Sequence, residues 1–170
     1  LTIALLVIDM QTNFLEEQVE KAVVHSACEY INHVAGLLRE NNHTVIHVKD
    51  IEGADESSVA KLDFIPEIVI GQDDIQINKE YSNAFWKTEL EAVLSDKGIQ
   101  LVIVSGFAAE HCVLFTYNGA LERGFKAAIL QKGILSTQNA AIDQTYRHRH
   151  VVAYPVIEYL VSQQASVTAN

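Results

Sequence analysis

The opening stretch LTIALLVID is an unbroken apolar run closed by a carboxylate at Asp9, and the same pattern returns three times along the chain. TVIHVKD (Thr44–Asp50), IQLVIVSGF (Ile99–Phe107) and FKAAILQ (Phe125–Gln131) each follow a helix-like stretch and end in polar or glycine positions. A strand that is apolar on both faces must be covered on both faces, which is the condition of a parallel sheet. Parallel neighbours need crossovers, and these are right-handed, so the alternation predicts a three-layer α/β/α domain with a mainly parallel sheet. A shorter strand is expected at Ile75–Asn78.

The crossovers are legible as helices of different quality. Between Val19 and Asn41, residues Val23, Ala27, Tyr30, Val34, Leu37 and Leu38 recur at spacings of three and four, an amphipathic helix. Helical patterns also cover Ser82–Asp96 and Glu110–Arg123, the latter stopped by Gly124 in the place of a C-terminal cap. Beyond Gln138 the chain reads as a helix to about His148, a short strand at Val151–Ala153 and a helix from Pro155 to Val161. The RHRH run, Arg147–His150, would close the first of these helices. From about residue 162 the sequence is polar and is expected to fray. The loop Ile51–Asp74 has little periodicity and is expected to shape a pocket or lid.

At 170 residues with 49% hydrophobic content, the chain reads as one domain spanning 1–170, burying roughly two thirds of its unfolded surface. Its 22 Asp and Glu against 12 Lys and Arg give a net charge of -10, which disfavours nucleic acid and anionic membranes as partners. The first apolar run is far too short to span a bilayer, which needs ~20 residues. With only Cys28 and Cys112, no CxxC pair and no leader-like segment, both cysteines are expected as free thiols in a cytoplasmic protein. The sequon Asn42-His43-Thr44 carries no weight in that setting.

Ligands of open α/β sheets bind beyond the carboxyl ends of the strands, where strand order reverses. Asp9 ends the first strand, Lys79 follows the short strand, and Cys112 opens the helix after Leu101–Ser105. With the order 3-2-1-4-5, Asp9 and Cys112 face one crevice, while Lys79 starts two strands away, about 10 Å at ordinary spacing. A helix N-terminus beside a lysine would lower the thiol pKa, and Asp9 would be placed to take its proton. His111 is adjacent in sequence to Cys112 but points about 100° away on a helix, a poor local base. Each residue alone also has a plain structural reading: Cys112 as a small buried hydrophobe, Asp9 as a cap, Lys79 as a surface charge.

Three segments in order carry a resemblance. LLVIDMQTNF, INKEYSNAFWKTELEAVL and VIVSGFAAEHCVLFTYNGALERGF resemble the aspartate, lysine and nucleophile segments of the isochorismatase-like cysteine hydrolase family, relatives of nicotinamidase and N-carbamoylsarcosine amidohydrolase. The resemblance runs from Leu5 to about Ser136. It implies a Rossmann-like six-stranded sheet of order 3-2-1-4-5-6, with Asp9, Lys79 and Cys112 as catalytic residues and a thioester intermediate. It further implies an oxyanion hole from the amides of Ala108 and Cys112, and a cis peptide at Phe107–Ala108. Self-association as a homodimer or homotetramer is implied likewise.

The departures narrow the expected chemistry. Ala109 stands where many members have threonine. Nicotinamidase-like members hold a metal with an Asp-x-His pair and a later histidine, whereas Asp50 is followed here by Ile51-Glu52-Gly53, so neither metal nor other cofactor is expected. His43 and His47 are placed on the helix-to-strand turn and the strand. Members that cleave a vinyl ether do not need the cysteine, so Cys112 argues for hydrolysis of a C–N bond in a small amide, ureide or related compound. Phe14 and Trp86, with Phe85 and Tyr81, are candidates for an aromatic pocket wall. Cys28 reads as structural, and Glu110 as an early-turn acid at the helix start. The alternative is a non-catalytic binding or thiol-redox-responsive member of the same fold. A phospho-receiver is excluded, since Asp9 stands without clustered carboxylates at the end of its strand.

Overall fold

A computed structural model describes residues 1–55 and 58–168. Strand β1 (Ile3–Ile8) is buried along its whole length and alternates between two layers: Ile3, Leu5 and Val7 join one core, Ala4, Leu6 and Ile8 the other. That alternation is the pleat of a strand covered on both sides. With β2 (Thr44–Asp50), β3 (Ile75–Lys79), β4 (Leu101–Phe107), β5 (Lys126–Leu135) and β6 (Val151–Val152), it forms a six-stranded sheet of order β3-β2-β1-β4-β5-β6. Every pairing is parallel.

After the short α1 (Thr12–Leu15), helix α2 (Lys21–Glu40) covers the first core together with α6 (Tyr154–Thr168). Helices α3 (Leu90–Asp96) and α4 (Cys112–Glu122) cover the second, with Ile142 and Tyr146 of α5 (Asn139–His148) packed against it. Helix α4 ends as the sequence implies: Gly124 has φ 85°, its amide donates to Leu121 and that of Phe125 to Ala120, the paired bonds of a Schellman cap. Helix α2 ends the same way with Asn42 at φ 59° in the glycine position.

Four expectations are corrected. The helix expected over Ser82–Asp96 is reduced to Leu90–Asp96. Short polar side chains divert the preceding backbone: Asn83 accepts from the Phe85 amide, Thr88 bonds both the Ala84 carbonyl and the Leu90 amide, and Lys87 sits at φ 56°. The buried stripe of α2 is Val24, Ala27, Cys28, Ile31, Val34, Ala35 and Leu38, rotated from the expected one, so Val23 is 40% exposed. Apolar residues at 23–24, 27–28, 30–31 and 34–35 permit either phase, and packing selects one. Strand β5 continues past Gln131 to Leu135 through a register shift opposite Val104 and Gly106. Helix α6 does not stop at Val161 but runs to Thr168. Among the described residues no helix is long and apolar enough to cross a membrane.

Candidate active site

The carboxyl ends of β1, β2, β3 and β4 converge where the strand order reverses between β1 and β4. Asp9 leaves β1 at φ 50°, a left-handed conformation that aspartate tolerates better than most residues, with its amide donating to the Val48 carbonyl. At the end of β4, Gly106 lies at φ 104°, and a Cβ there would stand 2.1 Å from the Ile8 carbonyl oxygen. Only glycine lets β4 approach β1 this closely. The Phe107–Ala108 peptide that follows is cis. The turn then delivers Cys112 to the first position of α4.

Lys79 closes the gap across the sheet. Its register partner on β2 is Asp50, and its side chain reaches past that strand so that Nζ lies 2.9 Å from Asp9 Oδ2, 2.6 Å from Asp50 Oδ2 and 3.4 Å from Cys112 Sγ. The Lys79 side chain is completely buried and that of Asp9 is 1% exposed. A buried ammonium is tolerable only when paired, and two carboxylates plus a sulfur supply the partners. The segments holding Asp9, Lys79 and Cys112, far apart in sequence, thus meet at one point.

Asp50 is the member that sequence reasoning missed. In the sequence it stands out only as half of an absent metal pair; the expected strand order sets it between Asp9 and Lys79, but its pairing with Lys79 depends on the register. Gln11, fully buried, holds that strand end: its Nε2 donates to the carbonyls of Asp50 and Leu62, and its Oε1 accepts from the Asp50 amide. The same side chain therefore ties β2 to the loop that covers the site.

A cavity of about 350 Å³ opens over this cluster, lined by Asp9, Asn13, Phe14, Asp50, Glu52, Leu62, Ser82, Phe107, Ala108, His111 and Cys112. The loop after β2 does contribute a wall, through Glu52 and Leu62. Phe14 stacks on Phe107 with ring centroids 5.8 Å apart. Trp86 lies elsewhere: it is 52% exposed and is not part of the lining, and Phe85 is buried in the second core instead. The turns that replace the expected helix at 82–89 account for this. The Ala108 carbonyl accepts from the His111 and Val113 amides, and Ala109 donates to Leu135. The amides of Ala108 and Cys112 donate to no acceptor among the described residues. Glu110 precedes α4 and accepts from the Ser136 hydroxyl.

The protonation states depart from the expected thiolate. Burial, then the Asp9 charge, push the Cys112 thiol up to about 12, and the nearby Lys79 ammonium offsets only part of this. Burial likewise raises Asp9 to about 6 despite the opposing pull of Lys79. For Lys79, burial opposes the charge, but the neighbouring Asp9, Cys112 and Asp50 outweigh it and hold the amine above its ordinary range. At neutral pH the cluster is a carboxylate, an ammonium and a thiol, with the Asp9 carboxylate beside the Cys112 thiol.

The donor atoms of Asp9, Asp50 and Cys112 lie within 4.8 Å of one another, a separation compatible with metal ligation. The Lys79 ammonium, however, stands within 3.4 Å of all three, so a dication among them would meet a fixed positive charge. The group is built around the lysine and does not fit a metal.

Comparison with known proteins gives a consistent picture. The isochorismatase domain matches residues 3–156. The isochorismatase family protein YaaI of Bacillus subtilis is 26% identical, the match covering 80% of this chain and 82% of that one. The N-carbamoylsarcosine amidase of Thermoplasma acidophilum superposes with a TM-score of 0.76 at 21% identity, over 90% of this chain and 95% of its own. The pyrazinamidase of Pyrococcus horikoshii, solved in complex with zinc, gives 0.75 at 19% identity over 90% and 99%.

Proposed function

The chain belongs to the isochorismatase domain family, and on that premise we propose that it hydrolyses the C–N bond of a small amide, ureide or related compound with Cys112 as nucleophile. The observation that carries the reading is the convergence of Sγ, a buried carboxylate and a buried ammonium at the floor of a cavity. Two solved relatives are amidases.

In this reading the substrate carbonyl oxygen accepts from the Ala108 and Cys112 amides, which have no acceptor among the described residues. Sγ attacks the carbonyl carbon while the thiol proton passes to Asp9, so no free thiolate needs to accumulate. Asp9 returns that proton to the nitrogen, the C–N bond breaks, and an amine or ammonia leaves behind a thioester. Water then attacks the thioester carbonyl, giving one proton to Asp9, and the carboxylic acid departs as Sγ is reprotonated. Lys79 holds the Asp9 carboxylate in place and balances charge as Sγ develops it. Asp50 is a positioning residue that fixes Lys79.

A redox-sensing role is disfavoured by the same thiol, since sensor cysteines are accessible and of low pKa whereas this one is raised to about 12. The proposal includes self-association as a homodimer or homotetramer in the cytoplasm. Its test is release of ammonia or amine from a panel of small amides and ureides by the parent and by Cys112→Ala. Turnover of at least one compound by the parent alone is expected; equal turnover by both proteins overturns the nucleophile assignment.

A further inference from the structure

We propose that Glu52 makes this site a charge filter that admits uncharged and cationic amides and rejects anionic ones, an inference that rests on the hydrolase reading of the same cavity. The lining carries the carboxylates of Asp9, Asp50 and Glu52, and neither lysine nor arginine is among the described residues that form it. The Lys79 ammonium is completely buried beneath the cavity floor and already paired with Asp9 and Asp50. One ammonium against three carboxylates leaves the cavity negative.

Glu52 is the member free to act on a ligand. Its amide accepts no competing role: it donates to Asp50 Oδ1 at 2.9 Å, which fixes the direction of the chain as it leaves β2. Its carboxylate has no hydrogen bond or ion pair among the described residues, and it is exposed at the rim of the cavity rather than locked into the floor. Deeper in, the buried Asp9 carboxylate, paired with Lys79, lines the same cavity. The remaining polar wall, Asn13, Ser82 and His111, offers no fixed cation, and the Phe14–Phe107 stack supplies a flat apolar side. A carboxylate-bearing amide entering here would lose water and, beyond the two backbone amides that take its carbonyl oxygen, meet three carboxylates and no lysine or arginine in the lining. A neutral planar amide, or one with an ammonium or amidinium at its far end, would be accommodated, its cationic end against Glu52.

The charge filter is testable without knowing the substrate, by thiol modification of the intact protein. Three methanethiosulfonates, bearing 2-aminoethyl, propyl or 2-sulfonatoethyl groups, each transfer their thioalkyl group to Sγ as a disulfide and release methanesulfinate. Rates at Cys112, located by peptide mass and divided by each reagent's rate with 2-mercaptoethanol, should fall in the order cationic, neutral, anionic. Two unit charges facing each other across a partly solvated site change such a rate roughly 5- to 10-fold. Glu52→Gln should narrow the span by about that factor, Glu52→Lys should invert the order, and high salt should compress it in the parent. Equal normalised rates, faster modification by the sulfonate, no effect of either substitution, or no modification by any reagent would each overturn the inference. Its failure is distinct from failure of the hydrolase reading: the amide panel can show Cys112-dependent turnover that favours anionic compounds, or the labelling order can hold while no amide is cleaved.

Discussion

Replacing Asp9 by asparagine should abolish activity and yet stabilise the protein at neutral pH. The carboxyl is raised from an ordinary 3.8 to about 6, first by burial, with Lys79 recovering only part of that cost. At 1.4 kcal/mol per tenfold, the rise corresponds to about 3 kcal/mol of unfavourable ionisation in the folded state. Because the folded pKa lies above the unfolded one, the protonated carboxyl favours the native state below about pH 4, and that advantage is lost as pH rises through about 6. Asparagine mimics the neutral acid at every pH. The difference in unfolding free energy between Asp9→Asn and the parent should therefore be near zero at about pH 4 and grow to about 3 kcal/mol by pH 7, remaining level above it. Urea titration of both proteins across this range measures it, and at this size each kcal/mol moves the melting temperature by about 2–4 °C. If the variant is the less stable protein at pH 7 to 8, attraction between Asp9 and Lys79 outweighs burial and the argument is wrong.

The kcat/KM profile for any cleaved amide should rise with a midpoint of about 6 as Asp9 ionises and then stay flat to at least pH 9, since the Cys112 thiol, pushed up to about 12, does not titrate there. A second limb falling between pH 7 and 9 contradicts it. Gly106→Ala should cost about 3 kcal/mol or more, because its Cβ meets the Ile8 backbone and its φ of 104° is closed to alanine; a native-like melting curve argues against the packing described. Gln11→Ala should destabilise by about 2–4 kcal/mol and lower kcat/KM, since three bonds to the Asp50 and Leu62 backbone are lost from a fully buried position. Unchanged urea midpoint and activity would refute its positioning role.

Much of the architecture was legible because burial on both faces leaves a distinctive mark. The runs at β1, β2, β4 and β5 read as parallel strands, and their order follows the expected 3-2-1-4-5-6. What failed was local. The stretch at 82–89 has helical apolar spacing, but Asn83 and Thr88 bond their own backbone and end the helix before it starts. Helix α2 carries apolar residues in two adjacent phases, and only contact with the sheet chooses between them. At the site, Asp9, Lys79 and Cys112 each have a plain structural reading alone and stand out only as three segments in order; the structure sets Asp9 and Cys112 within 3.4 Å of the Lys79 ammonium. Asp50 escaped notice because its partner Lys79 is 29 residues away and their adjacency exists only in the strand register. Trp86 was drawn toward the pocket by its aromatic character, which says nothing about direction. The thiol's protonation state was read from a helix N-terminus and a lysine, whereas burial and the Asp9 charge dominate it.

The most direct measurement is the mass of the intact protein, quenched in acid during turnover of a cleaved amide. The parent should gain the mass of the substrate's acyl group, mapped to Cys112, and lose it to hydroxylamine as a thioester does. Steady turnover with no adduct on Cys112 in a burst-phase experiment, together with undiminished turnover by Cys112→Ala, would contradict the central claim.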